Sequence, residues 1–278
     1  MHANATPVGR LPRPEESGFS DLMMSEWIKL ITLPSTWGAL IGMILLGIVG
    51  AVLSGLRYFE LSVIREPDVA LTMYDVTMVA GALCPVFVGI IGVISLGAEY
   101  SSGSAQSTFL ATPRRLQVLA AKATVLFVTV AVAAAAMIFG AWSASYPLYA
   151  RFGLEAPLSS EVLSALLGVV FYLALVSVFG LGIAALVRST TAGAIIIFTA
   201  TFLVPGISTM LPPGLASTLI RAAVIGNGGF SMVAYPISDA PFWNTQGYLS
   251  PTAGYLIVIV WTLVAVVAGA IALRKRDV

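Results

Sequence analysis

Residues 95 to 122 read SLGAEYSSGSAQSTFLATPRRLQVLAAK and form a polar segment bounded by two long apolar runs. The runs from Val76 to Ala98 and from Ala123 to Tyr149 contain no charged residue, whereas the polar segment holds one acid and three bases. A run of about 20 apolar residues can cross a bilayer as a helix, which satisfies its own backbone hydrogen bonds. We therefore predict an all-α integral membrane protein whose function depends on segments of this kind.

The composition of the chain favours the same class. Of the 278 residues, 58% are hydrophobic and 10% are charged, whereas about a quarter of a soluble domain is charged. The net charge of +1 gives no indication of nucleic-acid binding. The single cysteine, Cys84, excludes an intramolecular disulfide and is interpreted as a small core residue.

Six apolar runs predict six transmembrane helices in one domain covering residues 19–276. The predicted spans are residues 37–56, 76–98, 118–142, 162–187, 192–211 and 252–273. Residues 1–18 are rich in Pro, Gly, Arg and Glu, and we predict a disordered cytoplasmic tail there.

The apolar stretch from Leu215 to Tyr235 resembles a seventh span but contains Arg221. A charge at mid-membrane costs about 2.5–3.5 kcal/mol. We therefore predict one or two short outer helices before the last span, within residues 212–251.

The distribution of Lys and Arg predicts the orientation. With the N-terminus inside, the inner segments hold ten of these residues and the outer loops hold four. Because positive charge accumulates on the cytoplasmic side, both termini are predicted to be cytoplasmic.

Residues 19–30 predict an N-terminal interfacial helix that carries Glu26, Trp27 and Lys29. Its apolar residues recur at helical spacing and mark one face: Phe19, Leu22, Met23, Trp27 and Leu30. Trp27 is then expected at the level of the lipid headgroups. The alternative is a cytosolic extension of the first span.

Within the polar segment we expect a short helix that docks into a partner's groove. Ser101, Ser102 and Ser104 can cap its start, the helix is expected to run to about Ala111, and Pro113 ends it. Glu99 at the end of the second span opposes the helix dipole by about 0.3–1 kcal/mol. An ion pair with Lys122 or Arg115 would offset this cost and join the second and third spans.

A simpler interpretation of the bases in the polar segment remains open. By the positive-inside effect alone, a transmembrane helix is anchored by bases at its cytoplasmic end. The third span has three such bases, Arg114, Arg115 and Lys122.

The sequence lacks the motifs of several kinds of catalytic and binding site. It contains no Gly-x-x-x-x-Gly-Lys-Ser/Thr sequence, and its only histidine is His2, so we expect no P-loop, catalytic triad or metal site in this chain. The spans are taken to hold no ionisable group, which argues against a secondary carrier.

The order of these features resembles the permease subunits of bacterial type-2 (exporter-like) ABC transporters. The resemblance covers roughly residues 20–276. It is carried by Gly97-Ala-Glu99-Tyr100-Ser-Ser-Gly103-Ser, by Thr112-Pro113-Arg114-Arg115, by Ala121-Lys122 and by Glu26-Trp27-x-Lys29-Leu. A long outer loop before the last span is a further similarity.

The resemblance implies a multi-pass permease of the cell (inner or plasma) membrane that works as a pair, identical or mixed, with two cytosolic ATPase subunits. ATP and Mg²⁺ would bind those partners, and this chain would bind no cofactor, no nucleic acid and no metal and would not be an enzyme. The residues implied to couple it to the ATPase are Glu99, Tyr100, Gly103, Gln106, Pro113, Arg114, Arg115 and Lys122, together with the interfacial helix.

The expected activity is export of an amphipathic or hydrophobic substrate, because the near-chargeless helices leave little room for a polar pore. The alternative is a non-transporting membrane protein of similar fold, an immunity or sensor-partner subunit.

Overall fold

The computed structural model describes residues 18–61, 76–77, 80–103, 115–151, 158–208, 210–212, 214–233 and 250–275. Helices account for 92% of these residues, and none of them forms a β-strand. The predicted all-α class is confirmed for this part of the chain. Six of its helices are long and apolar enough to cross a membrane, which agrees with the predicted number of spans.

The described helices of four residues or more are numbered in chain order, with the π-helical segment included in α6. They are α1 (Phe19–Thr32), α2 (Pro34–Leu61), α3 (Cys84–Ser101), α4 (Arg115–Ala150), α5 (Ser160–Val187), α6 (Thr190–Ser208), α7 (Leu215–Ala222), α8 (Ile225–Val233) and α9 (Pro251–Lys275). The six candidate spans lie in α2, α3, α4, α5, α6 and α9.

The third span is longer than the sequence pattern predicts. α4 contains 36 residues, which is about 54 Å of helix, whereas a hydrocarbon core is about 30 Å thick. The helix begins three residues before the predicted span 118–142 and ends eight residues after it. Turns of α4 are therefore expected beyond the bilayer core.

α5 is the central helix of the bundle and packs against α3, α4, α8 and α9. At its crossing with α3, a Cβ atom added to Gly92 would overlap the backbone carbonyl of Ser177, and one added to Gly180 would overlap that of Gly89. Glycine lets two helices approach to backbone contact. The centre of the bundle depends on these residues having no side chain.

Within the described residues, two short helices precede the last span, in agreement with the one or two that were predicted. α7 and α8 have eight and nine residues, too few to cross a membrane. Arg221 of α7 is buried, and its guanidinium Nη2 donates to the carbonyl oxygen of Ser208 at 3.0 Å. The last carbonyls of a helix lack partners within that helix, so Arg221 caps the end of α6.

α6 contains a π-helical segment that no sequence pattern indicated. It covers Thr199–Leu203, and the helix then continues through Pro205 to Ser208. The Thr201 hydroxyl donates to the carbonyl oxygen of Ile197 at 2.8 Å inside this helix. Single π-helical turns within α-helices are rare and recur at functional sites.

The ends of four helices meet at one end of the bundle. Arg115 Nη1, at the start of α4, donates to the carbonyl oxygen of Leu273 in α9 at 3.1 Å. Arg188, which follows α5, has its guanidinium carbon 5.4 Å from the ring centre of Tyr100 in α3. We call this the charged end; α7 and α8 lie at the opposite end, beside Ser208.

Candidate functional site

Four charged side chains from three helices meet at the charged end. Glu26 and Lys29 belong to α1, Glu99 to the last turn of α3, and Lys122 lies two turns into α4. Each of the two ammonium groups is paired with both carboxylates. We call these residues the four-charge cluster.

The Lys122 ammonium is buried but has a partner for each of its three protons. It pairs with Glu26 Oε2, with Glu99 Oε1 at 3.0 Å, and with the backbone carbonyl of Ser95 at 3.0 Å. Its side chain is 5% exposed. A buried charge is tolerated only when it is paired and hydrogen-bonded in this way.

Lys29 closes the cluster on its more exposed side. Its ammonium lies 2.8 Å from Glu26 Oε1 and 3.2 Å from Glu99 Oε1. Burial alone would lower the pKa of Lys29, but the hydrogen bonds and negative charges of Glu26 and Glu99 outweigh burial and raise the pKa above its ordinary value of 10.5. Lys29 is therefore a stable cation next to the carboxylates.

The prediction that the spans hold no ionisable group is wrong for Lys122. This residue lies within the predicted third span and is buried inside the bundle. The physical reason is the set of three acceptors supplied by α1 and α3, which replaces the hydration of the ammonium.

The predicted apolar face of α1 is divided between the bundle, where Leu30 is buried, and the outer surface, where Phe19 and Trp27 are exposed. The two buried residues of the helix are Glu26 and Leu30, whereas Trp27 is 40% exposed. Trp27 shares an outward apolar stripe with Met24 and Ile28, which are also exposed. Glu26 faces the bundle because its partner Lys122 lies there.

The predicted ion pair of Glu99 is confirmed with Lys122. Arg115, the other base weighed as a partner, donates to Leu273 and so joins the start of α4 to the end of α9. Both contacts hold helix ends together at the charged end.

The polar segment begins as an extension of α3. Ser101 and Ser102 donate their hydroxyl protons back to the carbonyls of Ala98 and Glu99 at 3.0 and 3.4 Å. The helix that these serines are expected to cap lies outside the described residues. Gly103 follows with φ 73°, a left-handed conformation that favours glycine.

The other predicted coupling residues fall into two groups. Tyr100 contacts Arg188 by a cation–π interaction, a partner that sequence reasoning missed. Arg188 itself has a left-handed backbone with φ 55° at the end of α5. Gln106, Pro113 and Arg114, with Ser104 and the helix expected to run to Ala111, lie outside the described residues.

A cavity of about 420 Å³ separates part of α1 from α3 and α4 beside the four-charge cluster. All four charged residues line it, and its other walls include the apolar Leu33, Ile94 and Leu126. The ion pairs of Glu26 and Lys29 and the buried side chain of Leu30 together hold α1 to the bundle.

No protein-family model matches this chain, and a comparison with curated proteins finds no match. Among the described residues, no group of three or more His, Cys, Asp or Glu side chains is placed to hold a metal ion. The four-charge cluster and its position between three helix ends are therefore the features that indicate a function.

Proposed function

We propose that this chain is the membrane-spanning permease subunit of an ATP-driven transporter and that residues 95–122 couple it to a separate cytosolic ATPase. The observation that carries the proposal is the four-charge cluster. It joins α1, α3 and α4 where the polar segment leaves α3 and enters α4.

The cluster supports a mechanical role for the polar segment. Glu99 lies in the last turn of α3, four residues before Gly103, and Lys122 lies two turns after Arg115, the first residue of α4. A partner that pushes on residues 104–114 would move both helix ends. The ion pairs of Glu99 and Lys122 would carry that displacement to α1 as a rigid-body shift.

The distribution of charge supports a cytoplasmic charged end. Among the described residues this end holds six bases, namely Lys29, Arg115, Lys122, Arg188, Arg274 and Lys275, whereas the far ends of the helices hold three, Arg57, Arg151 and Arg221. Bases accumulate on the cytoplasmic side of a membrane. In this orientation both termini and the polar segment face the cytosolic ATPase of a cell membrane.

The surface of α1 supports its proposed position at the membrane interface. One face carries Glu26 into the bundle, and the outward stripe of Met24, Trp27 and Ile28 is exposed and apolar. An amphipathic helix with such a stripe buries it at the boundary between headgroups and acyl chains.

Two copies of the chain, or this chain and a similar permease, would form the transport path between them, with ATP and Mg²⁺ bound by two ATPase subunits. The exposed faces of the six spans are apolar, which suits an amphipathic or hydrophobic cargo.

The proposal is tested by gentle extraction from native membranes and identification of co-purifying proteins by mass spectrometry. We expect a soluble protein with a Walker sequence to accompany wild type, to be lost from Arg114→Glu, and to be retained by Arg151→Glu, a control at the opposite end. Recovery of intact, folded chain without any such ATPase would overturn the proposal and favour a non-transporting protein.

A further inference from the structure

The cavity between α1, α3 and α4, which we call the α1 cavity, changes from polar to apolar along its length. Its polar part is lined by the four-charge cluster. Its apolar part includes Ile94, five residues before Glu99 on α3, and Leu126, four residues after Lys122 on α4. These offsets correspond to about 6–8 Å of helix rise away from the charged end. The cavity therefore has a charged part near the end of the bundle and an apolar part deeper inside.

The lining of the α1 cavity disfavours both a purely apolar and a purely polar ligand. A hydrocarbon placed against the four-charge cluster would remove water from charged groups without replacing its hydrogen bonds, which is costly. A fully polar ligand would leave Leu33, Ile94 and Leu126 without an apolar partner. A ligand that suits both parts is an amphiphile whose polar end lies at the cluster.

Lys29 offers a hydrogen-bond donor to the polar end of such a ligand. Its ammonium carries three protons. Two of them have acceptors in Glu26 and Glu99, and the described residues supply no acceptor for the third. The side chain of Lys29 is 38% exposed, so a ligand can reach it. Phosphate oxygens are strong acceptors for an ammonium group because the hydrogen bond is charge-assisted.

The charges of the α1 cavity favour a head group that is neutral overall. The cluster contains two acids and two bases, and no other charged side chain is among the described residues that line the cavity. A ligand with only a negative charge at Lys29 would lie close to the carboxylates of Glu26 and Glu99 and be repelled by them. A head group that also carries an ammonium would place that ammonium beside Glu99, the more exposed of the two carboxylates.

We propose that the α1 cavity binds one zwitterionic phospholipid, with its phosphate at Lys29, its ammonium beside Glu99 and an acyl chain against Ile94 and Leu126. The outward apolar stripe of α1 suits a helix at the boundary between head groups and acyl chains. A phospholipid in the cavity would keep the orientation that it has in that leaflet, with its chain towards the bilayer centre. The site rests on the interfacial position proposed for α1, but it requires neither an ATPase nor transport.

The experiment uses the full chain in nanodiscs of equal amounts of phosphatidylethanolamine and phosphatidylglycerol, without an ATPase. One lipid or the other carries a photoreactive group on an acyl chain. Adducts on Leu126 report the site, because this side chain is fully buried and out of reach of the surrounding lipid. We expect such adducts to saturate with the phosphatidylethanolamine probe and to be much weaker with the phosphatidylglycerol probe. Water-soluble glycerophosphoethanolamine, which has the head group but no chain, should not compete.

Two variants change the two parts of the cavity separately. Lys29→Gln removes the ammonium and should lower the yield of Leu126 adducts about tenfold, because a charge-assisted hydrogen bond is lost. Ala98→Phe fills the cavity without changing a charge and should abolish these adducts. Lys275→Gln and Ala136→Phe, at exposed positions outside the cavity, are the matched controls and should keep the wild-type yield.

Thermal unfolding of each variant shows whether a lost adduct reflects a lost fold, and the wild-type result decides the proposal even if a variant unfolds. Absence of saturable Leu126 adducts in the wild type would show a cavity filled by water and overturn the proposal. Equal yields from the two probes would contradict the zwitterionic head group. Displacement by glycerophosphoethanolamine would show a site for the head group alone and would also overturn it.

Discussion

Lys122 and Glu26 form a direct, buried ion pair although 96 positions separate them in the sequence. This contact places α1 against the third span. With Lys29 and Glu99 it makes a group of two acids and two bases, in which each base has both acids as partners. The predictions below follow from this arrangement and from the packing of the central helix.

Removal of the Lys122 ammonium should strongly destabilise the fold. In Lys122→Met, the buried Glu26 and the partly exposed Glu99 keep Lys29 as a shared base. Breaking a buried pair on one side costs about 3–5 kcal/mol, because a charge is left uncompensated. Denaturant unfolding in detergent measures the loss. Lys275→Met, an exposed base in the last turn of α9, is the control and should remain close to wild type.

Removing the charge of Glu26 together with that of Lys122 should recover part of the stability that Lys122→Met loses. In the double variant Glu26→Gln with Lys122→Met, Lys29 and Glu99 still form a pair and one uncompensated charge is gone. We expect the double variant to be more stable than Lys122→Met, with a coupling free energy of about 0.5–3 kcal/mol in a double-mutant cycle. Strict additivity of the two single changes would contradict the pairing of Glu26 with Lys122.

The contribution of Lys29 to the stability of the fold should decrease at high pH. Its pKa is raised above 10.5 in the folded chain, so the folded state holds this proton more tightly than the unfolded state does. The stabilisation is fully present below pH 10.5 and is lost as the pH rises through the folded pKa. The melting temperature difference between wild type and Lys29→Gln should be constant near neutral pH and shrink above pH 10.5. A difference that grows in alkali would contradict this prediction.

The crossing of α3 and α5 should not tolerate a methyl group. A Cβ atom at position 92 meets the backbone of Ser177, which cannot turn aside as a flexible side chain can. We expect Gly92→Ala to lose about 1–3 kcal/mol through overpacking. Gly38→Ala is the matched control, since its Cβ atom meets nothing within 4 Å, and alanine within a helix is about 0.5–1 kcal/mol more favourable than glycine. Unfolding of both variants under one condition gives the comparison.

Much of the fold followed from the sequence because hydropathy reports bilayer spans directly. All six predicted spans correspond to helices, and the buried guanidinium of Arg221 explains why the stretch around it forms two short helices. The π-helical segment could not be predicted, because the residues from Thr199 to Leu203 show no pattern that distinguishes a π-helical turn from an α-helical one. The length of α4 was underestimated, although the apolar run continues to Tyr149, because hydropathy does not show how far a helix extends beyond the bilayer core.

Only one ion pair of the four-charge cluster could be predicted from the sequence. Glu99 and Lys122 are an acid and a base on consecutive spans, so their pairing could be predicted from helix ends that meet. Glu26 was assigned to an interfacial helix without an inward partner, because a charged residue on an amphipathic helix is ordinarily placed towards water. Its contact with Lys122 depends on where α1 docks, which no local pattern specifies.

The most direct measurement of coupling is ATP-dependent movement of a fluorescent short-chain phospholipid across vesicles that contain the chain and its co-purified ATPase. We predict movement with wild type, and ATP hydrolysis without movement in Glu26→Gln with Lys122→Met, provided that this variant still binds the ATPase. Movement that proceeds unchanged in the double variant would contradict the role of the four-charge cluster. An ATPase that binds wild type and hydrolyses ATP while no phospholipid moves would contradict transport of a lipid-like cargo.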